Sequence, residues 1–131
     1  MQNNERTYTT TIAFASKELS ALDKVRLKDT KKCIRLDVAT ANESITICPA
    51  YYVELDIHNE KSEDKDYKNF IIVDAEGNRY VTGSQSFMNA FKDIFDEISE
   101  LVNDGEAIEM EIYQLPSKNY SGKKFLSCSL K

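Results

Sequence analysis

The sequence predicts a mainly β domain with one α-helix. Apolar residues recur at every second position in several short runs and at every third or fourth position in one long run, and turn-forming residues separate the runs. At 131 residues the chain is expected to form one domain, 1–131, long enough to bury about two-thirds of the surface its unfolded form exposes. Its apolar content of 41%, with seven Tyr and six Phe, suits a packed core rather than a disordered chain.

The first pattern along the chain, YTTTIAFA, alternates as a strand with Ile12 and Phe14 inward. Residues 1–16 are expected as an edge strand, or as an arm that docks on a neighbouring copy, since threonine-rich strands readily extend an exposed sheet edge. SKELSALDKVRL has mixed periodicity and KKCIRLDVATANES reads as a strand followed by a turn, so residues 17–44 have no secure place. In YYVELDIHN, Tyr51, Val53, Leu55 and Ile57 face one way while Tyr52, Glu54, Asp56 and His58 face the other, the pattern of a half-buried strand. NFIIVD, AEGN and RYVTG then form a hairpin in which Gly77 supplies the permissive turn.

SQSFMNAFKDIFDEISELVND places Phe87, Phe91, Ile94, Phe95, Ile98, Leu101 and Val102 on one helical stripe. Ser84 or Ser86 caps its start, the acids from position 93 to 100 lie opposite the stripe, and Asn103, Asp104 and Gly105 stop it. AIEMEIYQL follows as a strand with Ile108, Met110 and Ile112 inward, and KFLSCSL as a last strand with Leu126, Cys128 and Leu130 inward. Five strands with a helix between the third and fourth is the connectivity of the OB-fold, a small Greek-key barrel, here expected over residues 45–130. Ligands of such barrels lie across strands two and three, between the first-to-second and fourth-to-fifth loops.

Those loops are HNEKSEDKDYK and PSKNYSGKK, and the second is chemically distinctive. The chain carries a formal net charge of −5, yet the stretch from Pro116 onward holds four lysines and no acid. Lysines attract phosphate, the backbone near Gly122 permits close approach, and Tyr120 offers a ring for a base. Lys118, Lys123 and Lys124 are therefore expected to contact phosphates, reinforced by Lys68 and Arg79 from the second and third strands. Tyr120 and Tyr80 lead as stacking rings, with Phe70 and Tyr52 behind them, although core packing is the competing expectation for Phe70 and Tyr80.

The remaining charge is also sorted. Seven basic residues (Lys17, Lys24, Arg26, Lys28, Lys31, Lys32 and Arg35) stand against Glu18, Asp23 and Asp29, while eight acids crowd positions 93–111. The basic run either extends the path of a bound strand, pairs with the acidic helix of an adjacent copy, or is simply solvated.

Two blocks, YYVELDIHNEKSEDKDYKNFIIVDAEGNRYVTGSQSFMNAF and LPSKNYSGKKFLSCSL, carry a family resemblance. The chain resembles the small OB-fold single-stranded-DNA-binding proteins encoded by conjugative plasmids and phages of Gram-positive bacteria. The resemblance covers roughly residues 45 to 130, with a weaker echo in KVRLKDT. It implies sequence-independent coating of single-stranded DNA, by several copies side by side, as an accessory to plasmid transfer or phage replication. General single-strand binders end in an acidic recruiting tail, and SCSLK, expected as a strand, departs from that pattern.

Other functions find less in the residues. No Walker loop, dinucleotide fingerprint or nucleophile elbow is present, so neither an enzyme nor a cofactor is expected. His58 with Glu54 and Asp56 resembles a metal site only as any wet strand face does, and none is expected. Cys33, Cys48 and Cys128 form no CxxC pair, which favours a reducing cytoplasm, and no run approaches the ~20 apolar residues of a membrane helix. The rival function is an acidic phage or plasmid inhibitor that imitates DNA and occupies a host protein through its helix.

Overall fold

The computed structural model describes residues 8–117 and 122–131. The described residues are mainly β, with eight strands in two sheets and one main helix. In chain order the elements are β1 (Tyr8–Ala15), α1 (Ala21–Lys28), a 3-10 turn (Thr30–Lys32), β2 (Ile34–Arg35), α2 (Leu36–Ala39), β3 (Ile45–Ile47), β4 (Pro49–Asn59), β5 (Asp66–Asp74), β6 (Arg79–Thr82), α3 (Gln85–Asn103), β7 (Met110–Pro116) and β8 (Lys124–Leu130).

One sheet runs β1-β4-β5-β6-β2 and the other β3-β7-β8. β3 and β4 are almost continuous. Ile45 to Ile47 pair antiparallel with β7, and after Cys48 the chain turns into Pro49 and pairs with β5. A proline at the start of a strand loses no interior ladder bond, so the bend falls where its cost is least. One bent stretch thereby ties the two sheets together.

The β5–β6 turn is built on Asp74, whose Oδ1 accepts from the backbone N–H groups of Glu76 (3.0 Å) and Asn78 (2.8 Å) while Gly77 takes a φ of 88°. α3 starts where Ser84 Oγ accepts from Phe87 N–H at 3.2 Å. Its apolar stripe buries Phe87, Met88, Phe91 and Phe95 between the sheets. Phe91 and Phe95 stack with centroids 5.4 Å apart, and Tyr52 meets both edge-on at 5.8 Å.

Both faces of the larger sheet are covered. Tyr52, Phe70, Ile72 and Tyr80 face α3 and the smaller sheet. On the opposite face Val53, Leu55, Ile57, Ile71, Val73 and Val81 lie beneath Leu27 of α1, with Leu19 and Cys33 beside it. This accounts for the mixed periodicity of residues 17–44. They form short elements, each contributing one or two anchors such as Leu27 and Leu36, too few to set a period.

Two inward assignments change. Phe14 is 47% exposed because a bulge at Ala13 shifts the register between Ile12↔Leu55 and Phe14↔Glu54, which sends its ring to the Tyr52 side. Leu130, near the end of β8, is exposed at 53%. From Tyr8 onward the first strand pairs antiparallel with β4 of its own sheet rather than leaving it. No helix among the described residues is long and apolar enough to cross a membrane.

Candidate nucleic-acid interface

The wall of strands two and three, expected to carry a ligand, is instead occupied by the chain itself. Lys17 lies 4.7 Å above the Tyr51 ring, Leu27 fills the centre, and Arg79 Nη1 donates to the carbonyl of Arg26 at the end of α1. Arg79 thus holds the cover down. Lys68 stands on the opposite face, with its Nζ 3.0 Å from Asp56 Oδ1, a contact that raises the Lys68 pKa above its usual value. The alternation of paired strands separates these two cations, so they do not act on one ligand.

Tyr80 is a correction. Its ring is only 9% exposed within the core, and its hydroxyl donates to Asp74 Oδ2 at 3.3 Å. Burial first, then the neighbouring Asp74 carboxylate, hold this phenol above its ordinary pKa. Phe70 and Tyr52 are core residues as well, at 1% and 4% exposure. A ring packed on all sides offers no face to a base. Lys118 and Tyr120 lie outside the described residues.

The structure does assemble an open groove of about 590 Å³ where the two sheets part, between the end of β6 and the start of β8. That size falls within the range of about 300–1,000 Å³ typical of ligand clefts. Asn69, Thr82, Gly83 and Ser84 line one side, Arg35 and Asp37 the end, and Gln114, Lys124 and Phe125 the other side. Its shape follows from strand pairing. β6 takes β2 as its parallel neighbour, Ile34↔Tyr80 and Arg35↔Val81, so β8 finds no place at that edge and the gap stays open.

The groove wall is braced from behind. Gln114 Nε2 donates to the Asp37 carbonyl and to Thr40 Oγ1, both at 2.9 Å, and Thr40 Oγ1 donates to the Leu36 carbonyl at 2.6 Å. Arg35 Nη2 reaches Asp37 Oδ2 at 2.9 Å, although both side chains remain mostly exposed. At the mouth, Ser117 N–H donates to the Lys123 carbonyl at 2.8 Å and closes the β7–β8 connection. Lys124 and Phe125 follow at once, Phe125 being 46% exposed. Gly83 leaves room for the floor, since a Cβ there would sit 3.3 Å from Asn69 Oδ1.

Of the five expected site residues among the described residues (Lys68, Arg79, Tyr80, Lys123 and Lys124), Lys124 alone lines this groove. Arg35, Asn69, Gln114 and Phe125 join it from outside that set. Phe125 had a visible signal: in KFLSCSL it occupies the face opposite Cys128, and a large ring at an outward position beside two lysines calls for a reason. Arg35 had none, because its position depends on a two-residue parallel pairing far along the chain.

The strand face once weighed as a metal site is taken up by local ion pairs. Lys92 reaches Glu54 at 2.9 Å, Lys68 reaches Asp56, and the two ring nitrogens of His58 meet Asp66 at 2.7 Å and Glu60 at 2.6 Å. No protein-family model matches this chain, and no curated protein or solved structure matches it.

Proposed function

We propose that the chain binds single-stranded DNA without reading its sequence, as an accessory to plasmid transfer or phage replication, and that the strand lies in the groove between β6 and β8. The observation that carries this reading is the meeting of Arg35, Lys124 and the exposed Phe125 ring in one open cleft. Single-strand binders need cations along the phosphates and rings that accept any base. Asn69, Thr82 and Gln114 add neutral hydrogen-bonding groups that suit sugar and phosphate oxygens.

The fold reading behind it is an open OB-type barrel. A bent first strand (β3 with β4), the β4-β5-β6 meander, α3 and then the β7–β8 hairpin reproduce the order of such a barrel, and β3 against β7 supplies one of its closures. The other closure, between β6 and β8, is replaced by the groove. In this reading residues 16–33 cover the usual ligand wall, and binding moves to the open seam.

Titration of a fluorescent oligo-thymidine tests the proposal. If about 3 phosphates are neutralised, log Kd should change with log salt with a slope of magnitude about 2. The exposed acids along α3 support the rival reading, imitation of DNA toward a host protein. Under that reading the oligonucleotide shows no titration at any salt concentration.

A further inference from the structure

A second cleft, of about 460 Å³, lies between α3 and the β1–β4 pair and shares no lining residue with the groove. Its floor is aromatic: the half-exposed Phe14 ring sits 5.6 Å from Tyr52. Its rim is acidic. Lys92 is taken by Glu54 at 2.9 Å, which leaves Asp93 and Asp96, one turn apart and both exposed, as a surplus of negative charge.

The complement to this cleft is on the same chain. α1 turns Leu27 into the sheet, which forces Leu22 and Val25 outward at 66% and 68% exposure; Arg26 pairs with Asp23 at 3.5 Å, and Lys24 and Lys28 leave this helix with a surplus of positive charge. Two exposed apolar side chains on a helix with surplus positive charge complement an aromatic floor flanked by carboxylates in polarity and in sign. The two surfaces belong to different parts of the fold, so one molecule's helix meets another molecule's cleft. A contact of this head-to-tail kind extends into open rows unless its rotation closes a ring.

We infer that the Leu22–Val25 face of α1 docks into the Phe14–Asp93–Asp96 cleft of a second copy of this chain, and that copies assemble in head-to-tail rows. The contact uses neither Arg35, Lys124 nor Phe125, and it forms without nucleic acid. Its outcome is therefore separate from that of the DNA-binding proposal.

Sedimentation velocity without nucleic acid tests it with two variants. Asp93→Lys with Asp96→Lys reverses the cleft and keeps the helix face; Val25→Glu with Lys28→Glu reverses the helix face and keeps the cleft. The unaltered chain should sediment faster as its concentration rises, and less so in high salt. Each variant alone should remain monomeric. An equimolar mixture should associate again, because the unaltered helix face of one variant meets the unaltered cleft of the other and the two reversed faces are also opposite in charge. That rescue also shows that both variants fold. A monomeric unaltered chain at every concentration, assembly by either variant alone, or a mixture that stays monomeric would each overturn the inference.

Discussion

Replacing Phe125 with alanine separates stacking from charge in the proposed DNA groove. The ring is 46% exposed at the start of β8, so its removal leaves the core clusters intact and should shift folding stability by no more than about 0.5 kcal/mol. A stacked base contributes about 1–3 kcal/mol, which corresponds to an affinity loss of about 5- to 150-fold. The slope against salt should not change, because no phosphate contact is removed. Lys124→Ala should do the reverse, reducing the magnitude of the slope by about 0.7 and weakening binding most at low salt. Arg35 adds an internal check: its 2.9 Å pairing with Asp37 competes with phosphate, so Asp37→Asn should tighten binding, by less than about fivefold for so exposed a pair. Fluorescence anisotropy with oligo-thymidine across a salt series reads all three. The assignment fails if Phe125→Ala flattens the slope, or if Asp37→Asn weakens binding.

Other expectations concern the scaffold. Phe91 is fully buried among Phe87, Phe95 and Tyr52, and Phe91→Ala should cost about 3–5 kcal/mol in urea unfolding. The Asp66 and Glu60 carboxylates raise the His58 pKa above its ordinary 6.5, so the stabilisation from His58 is complete below 6.5 and is lost as pH rises through the raised value. Hydrogen-exchange protection factors in the β4–β5 hairpin, with the intrinsic base-catalysed rate divided out, should fall over that range, and His58→Gln should remove that fall. Burial pushes the Cys128 thiol up to about 11, so at pH 8 it should react with a disulfide reagent only on unfolding. Rapid native labelling of Cys128, identified by mass spectrometry, would contradict its placement.

Legibility in the sequence followed the length and regularity of each segment. α3 was readable because nineteen residues repeat one stripe and Ser84 caps it, and the β5–β6 turn was readable through Gly77. The two faces of β4 were also separable, since Val53, Leu55 and Ile57 share one side and Tyr52 the other. The fate of the second face was not. In β5, Phe70, Ile71, Ile72 and Val73 are apolar on both sides, which signals cover on both faces but does not name the covering segment. That segment proved to be 16–33, whose elements are too short to show a period. The cover over the expected ligand wall therefore went unread for the same reason that residues 17–44 could not be placed. Tyr80 followed: alternation assigns it a face, but only the packing of α3 makes that face the interior.

The cover itself provides the strongest discrimination between a groove and a wall. Leu27 is 1% exposed against Val53, Leu55, Ile71, Val73 and Val81, while Arg79 holds the last turn of α1 through the Arg26 carbonyl. Truncating such a leucine costs about 2–5 kcal/mol through lost burial and the cavity left behind. If residues 16–33 are a permanent part of the core, Leu27→Ala lowers stability and leaves oligo-thymidine affinity unchanged, provided that the variant is assayed well below its melting temperature. If they are instead a lid over an OB-type wall, the same substitution favours the open state and DNA binding tightens, since a binding-competent state raised from a small fraction lowers the apparent Kd in proportion. Arg79→Ala would then move affinity in the same direction, despite the loss of a cation. Tightening by both variants would place the DNA on the sheet and leave the groove without a role. Unchanged affinity in Leu27→Ala, together with a loss in Phe125→Ala, leaves the seam between the sheets as the site.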